Sequence, residues 1–242
     1  MLPKDAVSRE ILELLNSLMK DPKLESFVLV GGTALALQSG YRKSIDIDLF
    51  SKSPFDSEKI YEHLRKSDDF ELVDKSKGTI LCFIKNIKVD ILQHLYPDLN
   101  SPVFQGSIKI ASPLDIAAMK LNAIVGNGSR IKDFVDMAYL SGQMSLKEMV
   151  QGYEKKYSVD GLPAIRSLNY FKEINFKDPI ELLDGKFNWD TVEKRLNQML
   201  KNPDEIFPVL YPIEKNLSSN FSQDNDEDEN ESLKKVKKGP KL

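Results

Sequence analysis

The sequence predicts an α/β protein, with a mixed α/β domain over residues 1–110, a helical domain over 111–215 and a disordered charged tail over 216–242. Three observations carry that prediction. Up to Ile110, short apolar runs bounded by turn residues alternate with helical patterns, as elements around one sheet do. From Ser112, helical patterns follow one another with no clear strand between them. From Asn216, an acidic block (Asp224 to Glu231) precedes a lysine block (Lys234 to Lys241), and neither can bury enough apolar surface to order itself.

Each element has a local reason. Ile11, Leu12, Leu14, Leu15, Leu18 and Met19 recur at helical spacing until Asp21-Pro22 ends the run. Phe27 to Val30 reads as a buried strand stopped by Gly31-Gly32, and Thr33 to Gln38 as a helix closed by Ser39-Gly40. Ile45 to Phe50 alternates apolar and acidic residues, which is strand periodicity with Asp46 and Asp48 on one face. Asp56 or Ser57 caps a helix through Arg65, and Phe70 to Val73 reads as a strand. TILCFI and IKVDIL flank Lys85-Asn86 as a hairpin. Helices are predicted over Pro113 to Val125, Arg130 to Leu140, Leu146 to Lys156 and Trp189 to Leu200.

Bulk properties narrow the function. The 242 residues, 41% hydrophobic and 29% charged, describe an ordinary globular chain, and a net charge of -3 excludes coating nucleic acid by charge alone. A single cysteine, Cys82, rules out an internal disulfide framework. The N-terminus lacks the apolar core of a signal peptide, and no run approaches the roughly 20 apolar residues of a membrane span. No membrane role and a cytoplasmic location are therefore expected.

The chemistry centres on carboxylates. Asp46 and Asp48 on one strand face, about 7 Å apart by strand rise, suit oxygen-loving Mg²⁺. Asp90, in the middle of IKVDIL, becomes a third if its strand lies alongside. Three like charges so close oppose each other's ionisation unless a cation bridges them. Gly31-Gly32-Thr33 ends a strand and opens a helix, where free N–H groups and the helix dipole favour phosphate. No Gly-x-x-x-x-Gly-Lys phosphate loop occurs.

Taken together, LVGGTALAL, RKSIDIDLF, IKVDIL, SPLDIAAMKLNAI and SRIKDFVDMAYL resemble, in order, the motifs of polymerase-beta-like nucleotidyltransferases. The likeness is greatest to the AbiEii/AbiGii-type toxin branch, over roughly residues 27 to 200. The resemblance implies a polymerase-beta-like domain followed by a helical domain that completes the active site. It implies transfer of a nucleoside monophosphate from a triphosphate (NTP), with pyrophosphate leaving and two Mg²⁺ ions bound by Asp46, Asp48 and Asp90. Lys120 and Asp133 would join those three as catalytic residues. Gly31, Gly32 and Thr33 would cradle phosphates, and Arg42, Ser44, Lys120, Arg130, Lys132 and Asp136 would complete the nucleotide site.

The expected acceptor is RNA, namely the 3′ end of a tRNA, and the expected partner an antitoxin protein in a bacterial toxin–antitoxin or phage-defence pair. Transfer to a protein side chain, a glycosyltransferase built on Asp-x-Asp, and a non-catalytic nucleotide-binding module are the alternatives. His63 and His94 are read as structural, Cys82 as inert, and the tyrosines and Trp189 as core.

Overall fold

A computed structural model describes residues 5–67 and 69–210 of the chain, and the predicted charged tail lies outside them. The first helix, α1 (Arg9–Lys20), is capped by the Ser8 hydroxyl, which accepts from the Ile11 N–H. It buries Ile11, Leu14, Leu15 and Leu18, the stripe that the spacing predicts. Strand β1 (Val28–Val30) runs directly into α2 (Gly31–Ser39). This helix begins two residues earlier than expected because Gly31 itself, at φ +69°, makes the turn off the strand. It ends at Gly40, whose left-handed φ of 66° lets its N–H reach the Ala36 carbonyl. Thr33 to Leu37 are all buried, since α2 packs against β1 and β2 on one side and against α4 (Pro113–Gly126) on the other.

Strand β2 (Ile47–Ser51) starts two residues later than predicted, leaving Asp46 outside it and Ile45 65% exposed. The backbone here is claimed by other partners. The Ser44 N–H bonds the Ala6 carbonyl, and the Thr33 hydroxyl takes the carbonyl of Asp46. Asp56 caps α3 (Ser57–Leu64). Strands β3 (Phe70–Ser76), β4 (Thr79–Ile84) and β5 (Ile87–Gln93) follow. Lys85 and Asn86, at φ 52° and 60°, form the tight hairpin turn between β4 and β5. Two strands absent from the prediction, β6 (Val103–Gln105) and β7 (Ile108–Ile110), complete a seven-stranded mixed sheet.

The sheet order is β3-β4-β5-β2-β1-β7-β6. Centrally, β2 pairs antiparallel with β1 and parallel with β5, in a register that sets Asp48 opposite Asp90 and Val30 opposite Asp48. Three neighbouring strands therefore present Asp48, Asp90 and the approach to Gly31 at one place.

Helices α4, α5 (Ile131–Leu140), α6 (Leu146–Tyr157) and α8 (Trp189–Lys201) match the predicted spans to within one residue at each end. The short α7 (Leu162–Ser167) was not predicted. α4 is the hub, packing on α2, α5, α6 and α7. Among the described residues no helix is long and apolar enough to cross a membrane.

Candidate active site

Gly31 and Asp48 are matched by contact. A β-carbon on Gly31 would lie 2.3 Å from Asp48 Oδ2, so the carboxylate lies directly against the strand-to-helix turn, where only glycine fits. Beside it, Asp90 gives one oxygen to the Lys88 ammonium at 2.5 Å, while Oδ1 is buried with no hydrogen-bond partner. Burial and the neighbouring Asp90 charge push the Asp48 carboxyl up to about 6, against partial relief from Lys120 and Lys88. Two carboxylates so placed, one with an orphaned oxygen, are short of positive charge.

The third predicted ligand lies just outside the strand. Asp46 precedes β2, and among the described residues no group of three or more acidic, histidine or cysteine side chains is placed to hold an ion. Asp48 and Asp90 stand opposite each other on paired strands, and the Asp46 charge also reaches Asp48. A pair still fits a hard divalent cation, which keeps waters and takes oxygens from a phosphate ligand.

Beneath this pair lies a buried ion cluster. Arg42 from the loop after α2 grips Asp136 of α5 through two bonds, at 2.7 and 2.8 Å. Lys120 of α4 bridges Asp133 at 2.5 Å and Asp136 at 2.8 Å. The Tyr41 hydroxyl donates to Asp136, and its ring stacks on Tyr139 with centroids 3.8 Å apart. Arg42, Lys120, Asp133 and Asp136 are 3%, 6%, 1% and 0% exposed. Although burial opposes it, the Arg42 and Lys120 charges hold the Asp136 carboxyl well below its ordinary range. Burial likewise works against the Lys120 ammonium, but Asp136 and Asp133 keep it firmly charged.

Several of the residues predicted to contact phosphate make bonds within the protein. Arg42 and Asp136 are spent on each other, and Arg42 further donates to the Lys43 carbonyl. Thr33 is fully buried and shares a 2.9 Å bond with Ser44, whose hydroxyl and the Arg42 guanidinium lie against Gly32. The charge of Lys132 is felt at Glu181.

A cavity of about 240 Å³ opens between the sheet and α4. Of the predicted residues, Gly31, Gly32, Asp48, Lys120, Arg130 and Asp133 line it. Asp133 also presents a buried oxygen, Oδ2, with no hydrogen-bond partner, and the exposed Arg130 stands 3.9 Å from it. Phe50, His94, Met119 and Tyr157 line it too and were not predicted. Phe50 lies two residues past Asp48 on the same strand face and Met119 adjoins Lys120, while His94 and Tyr157 lie outside the predicted motifs.

A helix N-terminus, the Asp48 carboxylate and a buried lysine thus line one cavity. Comparison with known proteins narrows the class. The family described as "Nucleotidyl transferase AbiEii toxin, Type IV TA system" matches residues 13–206. The chain belongs to that family, and is a nucleotidyltransferase by membership.

An uncharacterized protein of Aquifex aeolicus (strain VF5), aq_aa25, is 32% identical over 202 residues, covering 81% of this chain and 96% of the relative. Among solved structures, JHP933 from Helicobacter pylori is 15% identical with a TM-score of 0.49, covering 82% of this chain and 93% of its own. MenT4, a nucleotidyltransferase toxin from Mycobacterium tuberculosis H37Rv, is 12% identical with a TM-score of 0.48, covering 77% and 82% respectively.

Proposed function

We propose that this nucleotidyltransferase is a Mg²⁺-dependent toxin that moves a nucleoside monophosphate from NTP to the 3′ end of a tRNA, and that an antitoxin partner restrains it in the cytoplasm. The observation that carries the cation and NTP is the Asp48–Asp90 pair set against Gly31. Two like charges held together in a half-buried site cost free energy, and a cationic ligand removes that cost. The tRNA acceptor and the antitoxin rest on family membership and on motif resemblance.

Roles follow from position. Asp48 and Asp90 would hold Mg²⁺. When bound, the cation neutralises the triphosphate and the charge that grows on leaving pyrophosphate. The N–H groups at the start of α2, beside Gly31 and Gly32, face phosphate oxygens and add the helix dipole. Lys120 supplies positive potential that already reaches Asp48. Asp133 Oδ2 is a buried acceptor on the cavity wall, suited to a hydroxyl hydrogen bond from ribose or acceptor. Arg42 and Asp136 position Lys120 from below and touch no substrate. Residues 1–110 then supply the cation and phosphate groups, and residues 111–215 supply Lys120 and Asp133.

The test is label transfer. Purified protein with each α-labelled NTP, Mg²⁺ and total tRNA should label RNA, and Asp48→Asn should not. Label on protein would replace the RNA acceptor with a protein side chain. No label with any NTP would overturn the reading.

A further inference from the structure

The 240 Å³ cavity has two chemically different ends. Gly31, Gly32, Asp48 and Asp133 form the polar end, and three rings wall the other. Phe50 comes from β2, His94 from the residue just past β5, and Tyr157 from the last turn of α6. Phe50 and His94 have centroids 5.2 Å apart, and His94 meets Tyr157 edge to face at 5.8 Å. The Tyr157 hydroxyl lies 3.2 Å from His94 Nε2.

These rings are only partly buried, unlike the Tyr41–Tyr139 stack, whose members are 1% and 7% exposed. Phe50 and Tyr157 pack against the core and also line the cavity. Burial, reinforced by Lys156, lowers the His94 pKa to about 4 and leaves its imidazole neutral. Lys156 is itself matched by Asp115 at 2.8 Å. This end is therefore aromatic and uncharged, its rings set at 35° and 83° to one another with Tyr96 packed on His94 and Tyr157, and with hydrogen-bonding groups at the ring edges.

We propose that Phe50, His94 and Tyr157 form the nucleobase subsite for the triphosphate whose phosphates lie at the glycine end. The inference rests on the nucleotidyltransferase reading and adds to it where the base sits and what recognises it. Along β2 the step from Asp48 to Phe50 is about 7 Å, which leaves the ribose between the two ends. Stacking on neutral rings accepts any base, because every base has a π-face. Discrimination among the four NTPs is accordingly small, within about tenfold.

Calorimetric titration of the full chain in Mg²⁺, with each NTP and with inorganic tripolyphosphate, tests this. The native protein should bind every NTP about tenfold or more tightly than tripolyphosphate, since stacking adds to the shared phosphate contacts. Tyr157→Ala and His94→Ala should each weaken NTP about tenfold and leave tripolyphosphate unchanged. Tyr157→Phe, which keeps the ring, should retain NTP affinity, and circular dichroism melts check that each variant is folded. Native NTP binding no tighter than tripolyphosphate, or variants that weaken both ligands alike, would overturn the subsite while the phosphate end stands. A native chain that binds neither ligand would defeat the nucleotidyltransferase reading itself, and the subsite with it.

Discussion

Replacing Asp136 by alanine should cost the fold about 3–5 kcal/mol, because it strands a buried arginine. Asp136 is fully buried and receives Arg42, Lys120 and Tyr41. Lys120 keeps Asp133 at 2.5 Å, so most of the loss falls on Arg42, left with the Lys43 carbonyl and the Tyr41 hydroxyl. Each kcal/mol moves the melting temperature of a chain this size by about 2–4 °C, so a drop of about 6–20 °C is expected. Against a total stability of about 5–15 kcal/mol, the variant should be studied by urea unfolding at low temperature. Asp136→Asn, which keeps the shape and loses the charge, should fall between native and Asp136→Ala. The double change Arg42→Met with Asp136→Leu should be milder than Asp136→Ala, since no unpaired charge remains. A loss under about 1 kcal/mol for Asp136→Ala, or a double variant worse than the single, would refute the account of the cluster.

Two further outcomes follow from the site. Gly31→Ala combines a left-handed backbone at φ +69° with a 2.3 Å approach to Asp48 Oδ2, so it should destabilise by about 2 kcal/mol or more and abolish triphosphate binding. Thermal unfolding and a binding titration check it, and native affinity would count against the Gly31–Asp48 contact. The second outcome concerns pH. His94, facing Lys156, Asp115, Asp98, Tyr96 and Tyr157, is held at about 4 against 6.5 when unfolded. Between those values the unfolded chain binds the extra proton, so its contribution is intact above pH 6.5 and is lost as pH falls toward 4. His94→Gln should remove that loss and leave the opposing trend of Asp48, whose folded carboxyl takes up protons from about 6 downward. The variant should therefore gain stability relative to native as pH falls, and an unchanged pH slope in urea melts would refute the burial of a neutral imidazole.

The parts of the fold legible in the sequence are those set by local chemistry. Lys85-Asn86 between two apolar runs specifies a hairpin because the link is two residues long and Asn tolerates positive φ, and the structure has it there with both residues in that region. Ser112 and Ser145 cap helices where the periodic runs begin, the latter in a capping box with Glu148. What depends on distant partners was not legible. β6 and β7 have three residues each, too few to set a period: Val103 and Phe104 of β6 are exposed, and β7 alternates over the single step Ile108–Lys109–Ile110. Asp46 and Asp48 look equivalent as text, and only the bonds made by Ser44 and Thr33 show that β2 starts between them.

The site shows the same division. Gly31, Gly32, Asp48 and Asp90 were readable because turn geometry and strand period place them within short segments. Arg42 and Asp136 are 94 positions apart, and nothing local says that each is spent on the other. The same holds for the aromatic wall, whose Phe50, His94 and Tyr157 come from three elements. Lys120 is the instructive case, a charge on an otherwise apolar helix face. Its burial between Asp133 and Asp136 makes it part of the site's electrostatic floor, where a solvent-facing lysine would do nothing.

The most direct test of the central claim is the cation dependence of triphosphate affinity in the native chain, Asp48→Asn and Asp90→Asn. If the two carboxylates share a divalent ion with the triphosphate, native binding should strengthen many-fold when Mg²⁺ replaces EDTA, and both variants should lose that gain. Equal affinity with and without Mg²⁺ in the native protein, or variants that respond to Mg²⁺ as the native chain does, would contradict the claim.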